Sequence, residues 1–247
     1  MFQINWKTKS LLYKIFGFLK LEKFFYLVQK LITKRSKINI NSINKNWEVH
    51  GNNISKLQVN SLIEIGAGKS LEQNIFFSYI FENKIKQTVI DINKMIDFAL
   101  FNEANFHISK ILNKEKKDDV NGVEDIKKIY NIEYKAPFDL KRLVDEKELF
   151  DMCINTATLE HFSPRDLHSC LSNLKKIIKK NGYISSLIDY SDHYSHTDKN
   201  ISALNFLKYS KDEWKKYNNN YLYQNRLRHY EYKKLFESFN FSINQTI

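Results

Sequence analysis

Cysteine and proline are nearly absent from this chain, and each absence excludes something. Two cysteines, Cys153 and Cys170, in 247 residues make no disulfide framework and fit a reducing compartment. Both read as small buried apolar side chains. Two prolines, Pro137 and Pro164, leave no proline-rich linker to divide the chain. Lysines interrupt the apolar N-terminal stretch too often for a transmembrane span. That stretch also lacks the small-residue cleavage site of a signal peptide, and no internal repeat is visible. What remains is 43% hydrophobic and 27% charged, an ordinary globular composition, long enough for one α/β domain with an appended piece.

The basic charge is uneven. The formal net charge is +11, but residues 1–37 hold nine Lys and Arg against Glu22 alone, leaving +3 for the rest. The balance therefore describes one segment rather than a nucleic-acid-binding face, and no nucleic-acid partner is expected. Within that segment Leu11, Leu12, Ile15, Phe16 and Leu19 recur at helical spacing, and Phe24, Tyr26, Leu27, Val28 and Leu31 continue the pattern. Three readings stay open: a helical lid packed on the main domain, a basic amphipathic helix touching an anionic membrane surface, or, last, contact with RNA. The expected location is the cytoplasm, and on the second reading the inner face of the membrane. Residues 38–60 read as a polar, Asn-rich connector. The expected organisation is a basic helical extension and connector over 1–57, then a main domain over 58–247.

The most informative stretch is Leu62-Ile63-Glu64-Ile65-Gly66-Ala67-Gly68. A short apolar run closes on an acid and a Gly-x-Gly turn, and an amphipathic segment follows from Leu71 to Phe81, the layout of a strand, a tight loop and a helix. A phosphate-cradling NTPase loop would need glycine at Ile63, and a dinucleotide-binding turn would need it at Leu71. Glu64 would repel a polyphosphate and suits a cationic ligand instead. The next apolar-ended run closes on Asp91, where a nucleotide-binding fold places the acid that grips a ribose.

Strands are expected at 60–65, 86–91, about 131–135, 149–155, 182–189 and 240–246, alternating with helices, which implies a parallel sheet covered on both faces. Ligands bind beyond the carboxyl ends of such strands. There Asp91 offers two acceptor oxygens to ribose hydroxyls, and Ile92 covers the adenine. Asp139 accepts from the adenine amino group or caps a helix over 140–147. Asn155 and Thr156 line the floor. The densest polar cluster, Asp189 to Asp198, follows the fifth strand. His193-x-x-His196 with Asp198 offers imidazole and carboxylate ligands. With no helical His-x-x-x-His frame and no Cys partner, no metal is expected, and a loop that binds acceptor and handles protons is the preferred reading.

Glu64, Gly66 and Gly68 with Asp91 resemble motif I of the class I S-adenosylmethionine (SAM)-dependent methyltransferases. Phe150 to Thr156 followed by Leu159-Glu160-His161-Phe162 looks like the fourth-strand region of that family. Ile188 to Asp198, Asn205-Phe206-Leu207, Trp214 and Asn225-Arg226-Leu227-Arg228 resemble a bacterial subgroup met in cell-surface polysaccharide loci. The resemblance implies a Rossmann-like, mostly parallel sheet of order 3-2-1-4-5-7-6, with the last strand antiparallel, and SAM as methyl donor. It implies that Glu64, Gly66, Ala67 and Gly68 flank the methionine part, that Asp91 and Ile92 hold ribose and adenine with Asp139, and that Asn155 forms the floor. The sequence ends at Ile247 with the sixth expected strand, so the seventh is expected to be missing.

The expected activity is methyl transfer to an oxygen or nitrogen of a small-molecule or saccharide acceptor. His193 or His161 would act as base, with Asp189 or Asp192 orienting it. An acceptor-site insertion over about 189–230 would place His196 and Asp198 on the acceptor, with Arg226 and Arg228 clamping an anionic one. The alternative is a catalytically impaired, methyltransferase-like binding or assembly subunit. An RNA methyltransferase is a lesser alternative, lacking the Asn-Pro-Pro-Tyr type tetrapeptide of base N-methylating enzymes.

Overall fold

The computed structural model describes residues 4–19, 21, 38, 40–143, 149–219 and 221–246. The chain divides into two compact units, a larger one of residues 37–158 and 169–188 and a smaller one of residues 1–36, 159–168 and 189–247. In chain order the described helices are α1 (Trp6–Phe18), α2 (Lys45–Lys56), α3 (Glu72–Ile80), α4 (Phe98–Ile111), α5 (Val123–Tyr130), α6 (Pro164–Ile177), α7 (Lys211–Lys215) and α8 (His229–Ser238).

The larger unit carries a sheet of β1 (Ser61–Ile65), β2 (Lys86–Ile90), β3 (Ile132–Lys135), β4 (Phe150–Thr156) and β5 (Ile178–Leu187). Every pairing is parallel and the order is β3-β2-β1-β4-β5. The 3-2-1-4-5 part of the expected order is therefore present. The chain winds outward from β1 in both directions, so the carboxyl ends of β1 and β4 flank the switch point where such sheets bind ligands. Central strands are covered on both faces, which is why Leu62-Ile63 and Met152-Cys153-Ile154 read as unbroken apolar runs. Leu62, Met152 and Ile154 share a core with Ile75, Phe77, Phe101 and Ile108.

Strand β5 begins at Ile178 rather than 182 and is irregular. Phe150 pairs with Ile178, but Met152 already pairs with Tyr183. Gly182 sits in this bulge, where a Cβ would stand 2.8 Å from the Asp151 carbonyl and 2.6 Å from Ile178 Cγ2. Only glycine allows that approach.

The polar stretch read as a connector contains a helix, α2. Asn44 caps it by accepting from the Asn46 N–H, and Trp47, His50, Gly51 and Ile54 form its buried stripe. The low hydrophobicity of the segment hid an i, i+3, i+4, i+7 pattern whose members include a histidine and a glycine. Gly51 lets the helix lie against Phe77 and Ile80 of α3.

In the smaller unit, α1 forms where helical spacing placed it, but its buried face is not the leucine stripe. Trp6, Lys9 and Ser10 are buried, whereas Leu11, Ile15 and Leu19 are 58%, 42% and 54% exposed. Polar contacts decide the orientation. Asp198 accepts the Trp6 N–H at 2.9 Å, Lys9 Nζ donates to Thr197 Oγ1 at 3.0 Å, and Ser10 Oγ donates to the Tyr217 carbonyl. The Trp6 ring packs against Tyr194, Tyr209, Trp214 and Tyr217. The expected continuation through Phe24, Tyr26, Leu27, Val28 and Leu31 lies outside the described residues.

Residues 241–246 form no strand, against the expectation for 240–246. After α8, Asn240 takes a left-handed conformation and the Phe241 N–H returns to the Phe236 carbonyl. The sequence alternates, but a strand needs a neighbouring strand's backbone groups, and the sheet of the described residues takes no strand from this segment.

Candidate functional site

The turn after β1 is built by register. Ile65 pairs with Ile90, and the Gly66 N–H donates to the Ile90 carbonyl at 2.9 Å. This brings the turn beside Asp91, at the end of the adjacent strand. Gly66 and Gly68 both adopt φ of 76°. A Cβ on Gly66 would stand 2.7 Å from Thr158 Cγ2, whereas one on Gly68 would meet nothing within 4 Å. Leu71 is also left-handed, with φ of 50°, and is completely buried. It occupies the position where a dinucleotide fingerprint has glycine, and packing holds it in a conformation that bulky residues seldom adopt. The Asp97 N–H fixes the far side of the turn by donating to the Lys69 carbonyl.

A hollow opens at the carboxyl ends of β1 and β4, lined by Trp47, Glu64, Gly66, Ala67, Gln73 and Thr156 among others. A second hollow near Val59 and Ile85 lies toward the amino ends of β1 and β2, the wrong end of a parallel sheet for a ligand.

Beneath the first hollow runs a chain of buried polar groups. Glu64 accepts from Gln73 Nε2 at 3.0 Å and from Asn74 Nδ2 at 2.7 Å. Gln73 Oε1 accepts from the Thr156 hydroxyl at 3.2 Å. Thr156 Oγ1 lies 3.1 Å from His50 Nε2, and His50 Nδ1 lies 2.8 Å from Ser185 Oγ. Because the Thr156 proton goes to Gln73, His50 must donate from Nε2 and accept at Nδ1. The network thus sets the tautomer. Burial lowers the His50 pKa to about 4, so the ring is neutral and holds the ends of β4 and β5 together. Burial likewise pushes the Glu64 carboxyl up to about 7, against the hydrogen bonds from Asn74 and Gln73. Sequence reasoning missed His50, Gln73 and Asn74. The spacing of Trp47, His50, Gly51 and Ile54 was the available signal.

The other expected cofactor residues fall at neighbouring strand ends. Asp91 is half-buried, its pKa raised by burial, and it accepts one long hydrogen bond, from the Asn93 N–H at 3.3 Å. Ile92 is 69% exposed. Asn155 is completely buried; its Nδ2 donates to Ser186 Oγ, and its Oδ1 has no partner. Asp139 is exposed and accepts the Lys141 N–H at 2.9 Å, capping the turn Leu140–Leu143.

The expected catalytic and acceptor residues all lie in the smaller unit. His193 Nε2 is 3.2 Å and His196 Nε2 3.7 Å from Asp189 Oδ2. Burial, aided by His161, lowers the His193 pKa to about 4. Burial opposes ionisation of Asp189, yet hydrogen bonds from Ser191 and the nearby His193 and His196 hold its carboxyl below the usual value. The pair is therefore a neutral imidazole beside a carboxylate. His196 also meets Ser191 Oγ at 3.1 Å.

Four residues expected to serve the acceptor or its base are engaged with the chain itself. Asp192 is buried and accepts from the Tyr194 N–H and Asn205 Nδ2. Asp198 accepts from the Trp6 and Asn200 N–H groups. Arg226 Nη1 donates to the Phe206 and Tyr209 carbonyls at 2.7 and 2.8 Å. Arg228 donates to the Tyr190 carbonyl at 2.6 Å and lies over the Tyr190 ring. Unsatisfied turn carbonyls and N–H groups take up these side chains first.

No family model matches the chain, and neither does any curated protein. Solved structures similar to it include SAM-dependent methyltransferases, all distant. A SAM-dependent methyltransferase from Archaeoglobus fulgidus is 15% identical, covers 88% of this chain and 74% of its own, and gives a TM-score of 0.46. Human N-acetylserotonin methyltransferase in complex with SAM is 16% identical over 79% of this chain and 47% of its own, at 0.41. PKMT2 from Rickettsia typhi in complex with AdoHcy is 18% identical over 52% of this chain, at 0.34, and this chain spans only 21% of its length. Similarity at this level does not decide what the chain does; its own residues must.

The two glycines of the turn give a direct test of its geometry. Gly68→Ala should cost about 1–2 kcal/mol through backbone strain alone. Gly66→Ala should cost about 1–3 kcal/mol more, because its methyl overlaps Thr158. Urea denaturation of both variants measures the difference, and equal costs would contradict the close approach at Gly66.

Proposed function

We propose that the protein is a SAM-dependent methyltransferase acting on an oxygen or nitrogen of a small-molecule acceptor. The observation that carries this reading is a half-buried glycine turn, preceded by the buried Glu64 and held by strand register beside Asp91, at the switch point of a parallel sheet. The residues fit the cofactor. Glu64 lines the hollow and suits a cationic methionine end. Asp91 keeps acceptor capacity for two ribose hydroxyls, Ile92 offers an apolar face for adenine, and Asn155 keeps an unpartnered carbonyl. Open space beside Gly68 leaves room for a ligand against the backbone. When bound, SAM would supply a methyl group already activated by its sulfonium. The chain's own part is to hold the nucleoside, exclude competing orientations and remove the acceptor proton, with His161 or His193 as the base and Asp189 beside it. Arg228 remains the candidate for an anionic acceptor. The saccharide expectation rests on the subgroup resemblance alone.

A binding subunit without turnover is the second reading, favoured by the lack of a strand at 241–246. Label transfer from SAM to an acceptor pool separates the two, since a binding subunit leaves the pool unlabelled.

No described helix is long and apolar enough to cross a membrane. The exposed Leu11, Leu12, Ile15 and Leu19 on the lysine-bearing α1 support the finer proposal of peripheral contact with an anionic membrane. Cosedimentation with anionic vesicles should fall sharply in a Leu11→Glu, Ile15→Glu variant. Undiminished binding would contradict it.

SAM binding by calorimetry tests the main reading. Asp91→Ala should weaken binding about 10–100-fold, the worth of a charged hydrogen bond. An equal affinity would remove Asp91 from the ribose.

Glu64 adds a pH signature. A cation prefers the ionised carboxylate, so affinity should rise as pH increases through about 7, the value to which burial raises Glu64. In Glu64→Gln this dependence should vanish. A wild-type affinity independent of pH would contradict a role for Glu64 beside the cation.

A further inference from the structure

Glu160 is the least explained polar group in the protein. It is 3% exposed, and neither carboxylate oxygen has a hydrogen-bond partner among the described residues. The N–H groups of Glu160 and Asp189 face it without reaching hydrogen-bond geometry. An ionised carboxylate buried without partners is costly, so such a group either keeps a proton or meets a cation.

Two imidazoles stand at that place. Ligand atoms of Glu160, His161 and His193 all lie within 4.8 Å of one another. The His161 and His193 ring centroids are 4.9 Å apart. We infer that Glu160, His161 and His193 form a binding site for one divalent transition-metal ion.

The surrounding chain is arranged as such a site requires. His161 Nδ1 lies 2.7 Å from the Tyr223 carbonyl, so Nδ1 donates and Nε2 keeps its lone pair. A ligating histidine is oriented in just this manner, by giving its other N–H to a carbonyl or carboxylate. The Asp189 carboxylate lies 3.2 Å from His193 Nε2, the kind of outer partner that orients a ligating imidazole. The backbone that carries the ligands is pinned. Asn225 donates its N–H to the Glu160 carbonyl and its Nδ2 to the Leu159 and Phe162 carbonyls. Gln224 accepts the His193 N–H through Oε1 and donates Nε2 to the Ser191 carbonyl.

The donor set selects the ion. Two nitrogens and one carboxylate suit zinc, cobalt, manganese or iron rather than the all-oxygen preference of magnesium or calcium. Tetrahedral ligation at about 2.1 Å puts ligand atoms about 3.4 Å apart, so the side chains must draw together as the ion binds. Three protein ligands leave a position open for water or for an acceptor oxygen or nitrogen, the pattern of catalytic rather than structural sites. The site is measured without SAM, so it and SAM binding can fail separately, but a histidine that ligates the ion does not also serve as the base.

The experiment uses the full chain without an affinity tag, stripped with a chelator and titrated with Co²⁺. One equivalent should develop the visible d–d bands of a low-coordinate site, and Zn²⁺ should erase them. Glu160→Gln and His193→Asn should each weaken Co²⁺ binding by more than the roughly 10–100-fold that an outer-shell loss costs. His107→Asn, in the larger unit, should bind like wild type. In wild type, ¹⁵N spectra should show two of the seven imidazoles shifting on Zn²⁺ addition, a readout that needs no variant to fold. Absence of d–d bands, no imidazole shift, or wild-type affinity in either folded variant would overturn the site.

Discussion

A carboxylate placed inside the protein, at the end of a central strand, constrains the rest of the larger unit. Glu64 is 2% exposed and needs donors, and Gln73 and Asn74 supply them from the first turn of α3. Those two amides require α3 to begin at once after the glycine turn, which in turn requires left-handed backbone at Gly66, Gly68 and Leu71. The network continues through Thr156 and His50 to Ser185, so β1, β4, β5, α2 and α3 are linked by polar groups with few alternative partners. Buried polar chains of this kind fix one arrangement because every broken link leaves an uncompensated group. The same carboxylate lines the hollow, which links the folding constraint to the ligand that the hollow would take.

The smaller unit obeys a different logic. It has helices and turns but no sheet among its described residues, and side chains satisfy its turn backbones. Asp198, Asn225, Gln224 and Arg226 each reach backbone groups distant in sequence, while Asp192 accepts from the nearby Tyr194 N–H and from Asn205 Nδ2. Trp6, Tyr194, Phe206 and Trp214 supply its apolar centre. A polar loop held this firmly presents its remaining groups, Glu160, His161 and His193 among them, in fixed positions.

The sheet was legible because central parallel strands leave a plain mark: unbroken apolar runs such as Leu62-Ile63, ending in turn residues. Asp91 was legible for the same reason, since it follows the next such run. What the pattern hid is equally physical. Helix α2 buries histidine and glycine, so its stripe does not look apolar. Helix α1 turns its leucines outward because Asp198 and Thr197 capture the opposite face, and no periodicity records such partners. Residues 241–246 alternate like a strand yet add none to the sheet of the described residues. In the candidate sites, chemical type was visible but engagement was not. Asp192, Asp198 and Arg226 look like ligand groups in sequence and are engaged by backbone in the fold. Glu160, which the sequence showed only as part of a Leu-Glu-His segment, is a buried carboxylate without a hydrogen-bond partner among the described residues.

The central claim is that the acidic glycine turn and Asp91 together hold a cationic nucleoside. The most direct measurement is a crystal structure of the full chain grown with S-adenosylhomocysteine. The account predicts density in the hollow between Gly66 and Thr156, with the ribose hydroxyls on the Asp91 carboxylate and the amino group toward Glu64. Ligand density elsewhere, or ribose oxygens held by other residues with Asp91 free, would contradict it.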